Sequence, residues 1–204
     1  MSKAIYYIRK DFKAALFLLI RNLIKALIVL LSTLYMKCKL YFMGVVVGRR
    51  TKWRGLAQIE RFPLSTIIIG EECIFNSSSL FNQRGIKHCI IQTGKVGAKI
   101  KIGDYCGFSG VSIVADNSVE IGNNVMVGAN TIIGDRDGHP EKLHTVPSKI
   151  YIGNNVFIGM HCKVMKGVSI GENSIVGAGS IVTKDIPKNV VAVGVPCKVI
   201  KTIN

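Results

Sequence analysis

The most constraining feature of this chain is a six-residue period that runs without interruption through residues 152–187. Aliphatic residues stand at Ile152, Ile158, Val164, Ile170, Val176 and Val182, and Gly follows four of these six. A small or medium residue recurs four places on, at Val156, Cys162, Val168, Ser174, Ser180 and Ile186. A helix repeats its faces about every 3.6 residues and a strand about every 2, so neither sustains such a pattern. A fixed longer step means stacked structural repeats. Each step is a short strand, a turn and a new face, and three steps close one triangular coil. Gly after the aliphatic position suits close backbone approach or positive φ at a corner, and Asn154, Asn155 and Asn173 tolerate the left-handed region. The chain reads as all-β, a parallel β-helix of hexapeptide repeats.

The frame extends towards the N-terminus with slips. Ile102, Phe108 and Val114 form one coil and, after an extra residue, Ile121, Val127 and Ile133 form the next. Cys106, Ser112, Ser118, Val125, Thr131 and Asp137 take the positions four on. Residues 138–151 break the frame and are expected to project as an active-site loop, because loops on a rigid scaffold carry chemistry. Further upstream, Val47, Trp53 and Ile59, then Ile69, Phe75 and Phe81, step by six as imperfect opening coils. Three segments result: an N-terminal helical segment over 1–46, the β-helix over 47–187, and a C-terminal cap over 188–204.

The net charge of +15 is concentrated at one end. Residues 1–54 carry 12 Lys and Arg against Asp11 alone, whereas the remaining 150 carry 15 against 11 acidic residues. Aromatics and long aliphatic runs accompany that charge, which fits a membrane surface better than nucleic acid. Residues 14–36 are numerous enough to cross a bilayer, but Arg21 and Lys25 interrupt them, and the longest uncharged piece, 26–36, has only 11 residues. At about 100° per residue, Lys3, Lys10, Arg21, Lys25, Ser32 and Lys39 fall within a sector of roughly 60° on one helix face. The expected element is an amphipathic interfacial anchor. A spanning helix and a helix buried against another protein are the alternatives. The six cysteines show no CxxC pair, so free thiols in a reducing compartment are expected. These features together predict a cytoplasmic protein held peripherally on the inner face of the cell membrane.

Candidate chemistry sits where the chain leaves the regular coil, in Gly134-Asp135-Arg136-Asp137-Gly138-His139-Pro140. Here His139 stands beside two carboxylates. An imidazole takes a proton from a hydroxyl near neutral pH, and a neighbouring carboxylate such as Asp137 fixes its tautomer. A surface histidine beside a turn-forming proline is the plainer alternative.

The run KIYIGNNVFIG from Lys149, followed by IGENSIVGAGSIVTKDIPKNVVAVGVPCKVI from Ile170, resembles the hexapeptide-repeat O-acetyltransferases. It is most similar to the maltose and galactoside acetyltransferase branch and its surface-polysaccharide relatives. The resemblance covers roughly residues 102–201. It implies a left-handed coil, an exception to the usual crossover hand, a homotrimer with active sites between subunits, and acetyl-CoA as co-substrate with no metal. By that resemblance His139 is the general base that deprotonates an acceptor hydroxyl, and a backbone N–H near Met160 meets the oxyanion. Ala178, Thr183 and Lys184 correspond to positions contacting pantetheine and nucleotide, Lys198 and Lys201 to basic positions facing the CoA phosphates, and Ser109 to an acceptor contact. The expected activity is acetyl transfer to a saccharide hydroxyl, on a lipid-linked or surface-polysaccharide intermediate. Phe157 stands where that branch usually has Trp, the loop is shorter, and the basic anchor replaces a sugar-binding helical region. Three alternatives remain: a serine acetyltransferase, a gamma-class carbonic anhydrase using the spacing of His139 and His144, and a membrane-tethered β-helix without catalysis.

Overall fold

The computed structural model describes residues 11–81, 85–136 and 146–203. Within them the chain winds through six coils of a left-handed parallel β-helix, each coil giving one short strand to each of three faces. The first face stacks Val46–Val47, Thr66–Ile69, Lys99–Ile102, Ser118–Ile121, Ile150–Ile152 and Ser169–Ile170. The second stacks Lys52–Arg54, Ile74–Asn76, Gly107–Ser109, Met126–Val127, Phe157–Ile158 and Ile175–Val176. The third stacks Gln58–Glu60, Ile90–Thr93, Ser112–Ala115, Ile132–Gly134, Lys163–Val164 and Ile181–Val182. Val190–Val193 then continues the second face, and Lys198–Thr202 turns back antiparallel to close it.

The six-residue period sets this geometry through burial. From Ile121 to Val182 every repeat aliphatic is at most 3% exposed, and Val156, Cys162, Val168, Ser174, Ser180 and Ile186 are all at most 4% exposed. Two residues of each step therefore point inward, and the corner between them turns the chain. The glycines of the repeat answer to close approach: a Cβ on Gly159 would lie 2.4 Å from the backbone nitrogen of Ala178 in the next coil. Positive φ falls instead on the corner asparagines Asn155 and Asn173, at 57° and 58°. Asn154 is not left-handed; its Oδ1 accepts the N–H of Asn123 at 2.8 Å, tying two coils together.

Two opening coils depart from the six-step frame. In the third coil the inward residue of the third face is Ile113, fully buried and in register with Ile91 and Ile133, whereas Val114 is half-buried. In the second coil Phe81 lies in a short 3-10 turn, and Ile91 supplies the third inward position. A projecting loop between Ile74–Asn76 and Ile90–Thr93 moves the frame, so counting sixes from Phe75 lands inside the loop.

Helix α1, Phe12–Phe42, begins where Asp11 Oδ1 accepts the N–H of Ala14 at 2.9 Å and ends at left-handed Gly44. The Val45 N–H reaches back to the Leu40 carbonyl at 2.9 Å, closing a Schellman-type cap. The helix lies across the N-terminal end of the β-helix. There, Thr33 Oγ1 accepts the N–H of Trp53 and Ser32 Oγ donates to the Trp53 carbonyl, while Met36 and Leu40 are fully buried. An open sheet edge is an aggregation hazard, and these two hydroxyls satisfy its outermost strand. From Lys25 onward the polar stripe read from sequence is thus the docking face: Lys25 and Lys39 are half-buried and Ser32 is buried, whereas Arg21 is exposed. Lys3 and Lys10 of that stripe lie outside the described residues. The broad remainder of the helix, including Phe17, Leu23, Leu27, Leu30 and Leu34, is exposed.

Candidate functional site

Ser109, Met160 and Ala178 belong to different coils, yet they line one cavity of about 300 Å³ with Gly128, Ala129 and Phe157. The β-helix brings them together because each follows, or ends, a strand of the second face, at the corner leading to the third. Glycine holds the same register position in three successive coils, at Gly128, Gly159 and Gly177, so the wall there is bare backbone.

A second cavity, of about 290 Å³, shares Ser109, Gly128 and Phe157 with the first and continues it towards the helix-capped end. Its polar lining is a ladder in strict register, Arg54, Asn76 and Ser109, one residue per coil. Asn76 donates to Ser109 Oγ at 3.0 Å, and Arg54 donates to Asn76 Oδ1 at 3.4 Å. Cys106 also borders this space, but its hydrogen bond with the Cys73 thiol, together with burial, holds its pKa well above the usual thiol range. It stays protonated and is not a thiolate nucleophile. All six cysteines are unpaired, five of them buried, as the sequence implied.

The histidine loop leaves from a different corner. Its described ends, Arg136 and Val146, lie between the third and first faces; Asp137, His139 and His144 lie outside the described residues. Of the two carboxylates beside the histidine in sequence, Asp135 is fully buried and accepts the backbone N–H groups of Asp116 and Asn117 at 2.8 and 2.7 Å. It is a structural cap that pins the preceding coil. Sequence reasoning overlooked Asp116 at the same corner. Its carboxylate is buried, with Oδ2 3.4 Å from Arg136 and 3.9 Å from Lys95, and Oδ1 has no hydrogen-bond partner among the described residues. A Cβ on Gly94 would fall 2.1 Å from that oxygen. The available signal was an acidic residue directly after an inward alanine.

The remaining sequence candidates divide between these regions. Thr183 and Lys184 are exposed beyond Ile181–Val182, at the corner from which the histidine loop departs. Lys198 and Lys201 lie in the final strand, at the end of the second face. Within one chain the described residues assigned to CoA therefore fall in three places: Met160 and Ala178 after the second face, Thr183 and Lys184 after the third, and Lys198 and Lys201 in the closing strand. Among the described residues no three His, Cys, Asp or Glu side chains gather to hold a metal. His88 and His161 are both exposed and stand apart, His88 with its Nδ1 3.0 Å from the Leu56 carbonyl oxygen.

Comparison with known proteins converges on one family. Residues 149–184 match the bacterial transferase hexapeptide family (six repeats). A galactoside O-acetyltransferase of Escherichia coli is 48% identical over 53% of this chain, which spans 56% of that enzyme's length. A galactoside O-acetyltransferase of Lactococcus lactis is 34% identical over 81% of this chain and 84% of its own length. In overall architecture the chain is similar to AntD, an N-acyltransferase from Bacillus cereus solved with dTDP and 3-hydroxybutyryl-CoA. The TM-score is 0.65 over 82% of this chain and 88% of that one, and at 22% identity the likeness concerns the fold. On the extent of the Lactococcus match, joined to the coil and its cavity, this chain belongs to the hexapeptide-repeat O-acetyltransferase family.

Proposed function

We propose that this protein transfers the acetyl group of acetyl-CoA to a hydroxyl of a saccharide, acting on a surface-polysaccharide intermediate at the cytoplasmic face of the membrane. The observation that carries the reading is the single cavity shared by Ser109, Met160 and Ala178, three positions assigned to acceptor, oxyanion and pantetheine from sequence alone. The bare backbone wall at Gly128, Gly159 and Gly177 suits a slender thioester arm, and Lys198 and Lys201 are point charges for its phosphates.

In the proposed reaction His139 takes the proton of the acceptor hydroxyl, with Asp137 holding the imidazole. The oxygen attacks the thioester carbonyl, and the oxyanion is met by a backbone N–H near Met160. The intermediate then collapses to an acetyl ester while the CoA thiolate leaves and takes back the proton. The split of Thr183, Lys184 and the histidine loop from the Met160 corner supports a homotrimer, in which one subunit's loop corner completes the neighbour's cavity. The exposed Met126, Phe157 and Ile175, aligned on successive coils of the second face, offer apolar surface for that contact.

Helix α1 supports a flat membrane anchor. It is long and apolar enough to cross a bilayer. Yet from Lys25 to Leu40 one face rests on the β-helix end, so among the described residues of the helix only the 13 from Phe12 to Ile24 stand free of it, fewer than the roughly 20 that a crossing takes.

His139→Ala is the direct test. Acetyl transfer should fall by about two to four decades with acetyl-CoA binding and thermal stability retained. Unchanged transfer would leave a binding scaffold as the better description. Loss of an acetyl increment from the surface glycan of a strain lacking the gene, seen by mass spectrometry, tests the acceptor class.

A further inference from the structure

Three features meet at the N-terminal end of the β-helix: the docked helix, the polar ladder and the continuation of the transfer cavity. The ladder begins at Arg54, one residue after Trp53, whose backbone holds α1 in place. Lys25 of the helix and Arg54 of the ladder stand 5.8 and 5.9 Å from the Phe81 ring centroid, so the mouth of the groove adjoins the helix itself. From Arg54 the groove runs two coils to Ser109 and a third to Gly128, about 10 and 15 Å at the spacing of stacked strands. An acceptor entering from the helix-capped end passes Arg54 and Asn76 before it reaches the transfer cavity.

The lining matches a charged saccharide derivative. Asn76 offers amide donor and acceptor, Tyr105 is 58% exposed and presents a ring for a sugar face, and Ser109 offers a hydroxyl. Arg54 is half-buried, and its one side-chain hydrogen bond among the described residues is the long 3.4 Å contact to Asn76. A guanidinium so placed has donors to spare for an anion, and its fork geometry suits phosphate. Glu72 also borders the groove, but its carboxylate is engaged by Arg50 at 2.9 Å.

We propose that the groove from Arg54 to Ser109 is the acceptor subsite, and that it takes a lipid-linked saccharide with its phosphate against Arg54 and its first sugar along Asn76 and Tyr105. The lipid remains in the bilayer beneath the exposed face of α1, and the groove length sets which sugar reaches the acetyl group. This assignment rests on the saccharide acetyltransferase reading and adds Arg54, Asn76 and Tyr105 as specificity residues.

The test uses the full-length protein, radiolabelled acetyl-CoA and, as acceptor, a butanol extract of membranes from a strain lacking the gene. Label should appear in the lipid fraction and be released by mild acid, which cleaves sugar–diphosphate bonds. Arg54→Ala should raise the KM for the extract about ten- to a hundred-fold, the range for losing a hydrogen bond to a charged group, and Asn76→Ala about two- to ten-fold, the range for a neutral one, while the KM for acetyl-CoA stays within about two-fold. Arg54→Lys should fall between. Lys52→Ala, which removes the same charge on the same strand but outside the groove, should change neither. Equal extract KM values for wild type, Arg54→Ala and Asn76→Ala, each confirmed folded by its melting curve, would overturn the subsite while leaving acetyl transfer intact. Label in the lipid fraction that mild acid does not release would overturn the lipid-linked, phosphate-bearing acceptor. Absence of any labelled product with the wild type would overturn the transferase reading as well.

Discussion

The two halves of the β-helix solve the same packing problem with different residues at matched positions. On the second face the inward position is aromatic in the first three coils, Trp53, Phe75 and Phe108, and aliphatic in the next three, Val127, Ile158 and Val176. Rings stack at 4.2 and 5.0 Å between centroids, within 13° of parallel. One residue further on, the first half carries Arg54, Asn76 and Ser109, and the second carries Gly128, Gly159 and Gly177. The coil requires only that the inward residue fill its layer; the residue after it answers to the occupant of the groove. In the proposed function the regular half, where glycine exposes backbone, is the wall for the CoA donor. The irregular half, with side chains, a projecting loop and a helix over its end, is where that proposal places the acceptor.

The largest effect should come from breaking the aromatic stack. Trp53→Ala removes a fully buried ring and should cost about 3–5 kcal/mol in denaturant unfolding. Val176→Ala, the matched change in the regular half, loses two methyl-sized groups and should cost about 2 kcal/mol. Trp53→Phe sharpens the comparison: the indole Nε1 is buried with no hydrogen-bond partner among the described residues, so its removal should offset much of the lost volume. Equal losses for Trp53→Ala and Val176→Ala would mean that the surrounding coils collapse into the space the ring leaves, and that the stack does not hold the opening coils.

Next in size is the exchange of the groove residues between halves. In Gly128→Ser the new Cβ would lie 2.5 Å from the backbone nitrogen of Met160, which cannot step aside as a side chain would. A stability loss of about 1–3 kcal/mol and weaker acetyl-CoA binding are expected, measured by thermal melting and calorimetry. The reverse change, Ser109→Gly, should cost no more than about 1 kcal/mol and leave acetyl-CoA binding unchanged. Its effect should appear in the KM for acceptor, because Asn76 loses its partner. Asp135→Ala should cost about 2–3 kcal/mol, by orphaning two N–H groups of the preceding coil held by a charged acceptor.

Legibility in the sequence divides along the same line. In the regular half the period located the repeat aliphatics from Ile121 to Val182, because no insertion disturbs the count within residues 152–187, but Ile150, assigned to the loop, is instead a buried residue of the first-face strand Ile150–Ile152. In the irregular half, counting displaced Ile113 by one residue and mistook Phe81 for Ile91, since a loop adds residues that the period does not see. The polar stripe of α1 was visible, but its partner was not: a helical wheel shows which residues share a face, and only the tertiary contact to Trp53 shows that this face meets protein. The role of Asp135 was not legible for a related reason, as its carboxylate answers backbone N–H groups 18 and 19 residues away.

The smallest expected effect is also the most selective test of the division. At the corner between the first and second faces one left-handed residue recurs in each coil: Arg50, Glu72, Tyr105, Asn124, Asn155 and Asn173, all with φ between 54° and 59°. Asn is the non-glycine residue best suited to that conformation. In the regular half the asparagines also join side chain to side chain, Asn124 to Asn155 at 2.9 Å, then Asn173 at 3.0 Å and Asn189 at 2.9 Å. The first half gives up both advantages at Tyr105, which borders the acceptor groove. Tyr105→Asn should therefore relieve backbone strain and extend the ladder by one rung, raising stability by up to about 1 kcal/mol in thermal melting. The same variant should raise the KM for acceptor while leaving that for acetyl-CoA unchanged. A gain in stability without a loss in acceptor affinity would show that Tyr105 is kept for some reason other than the groove, and the functional boundary between the halves would then move to Asn76 and Ser109.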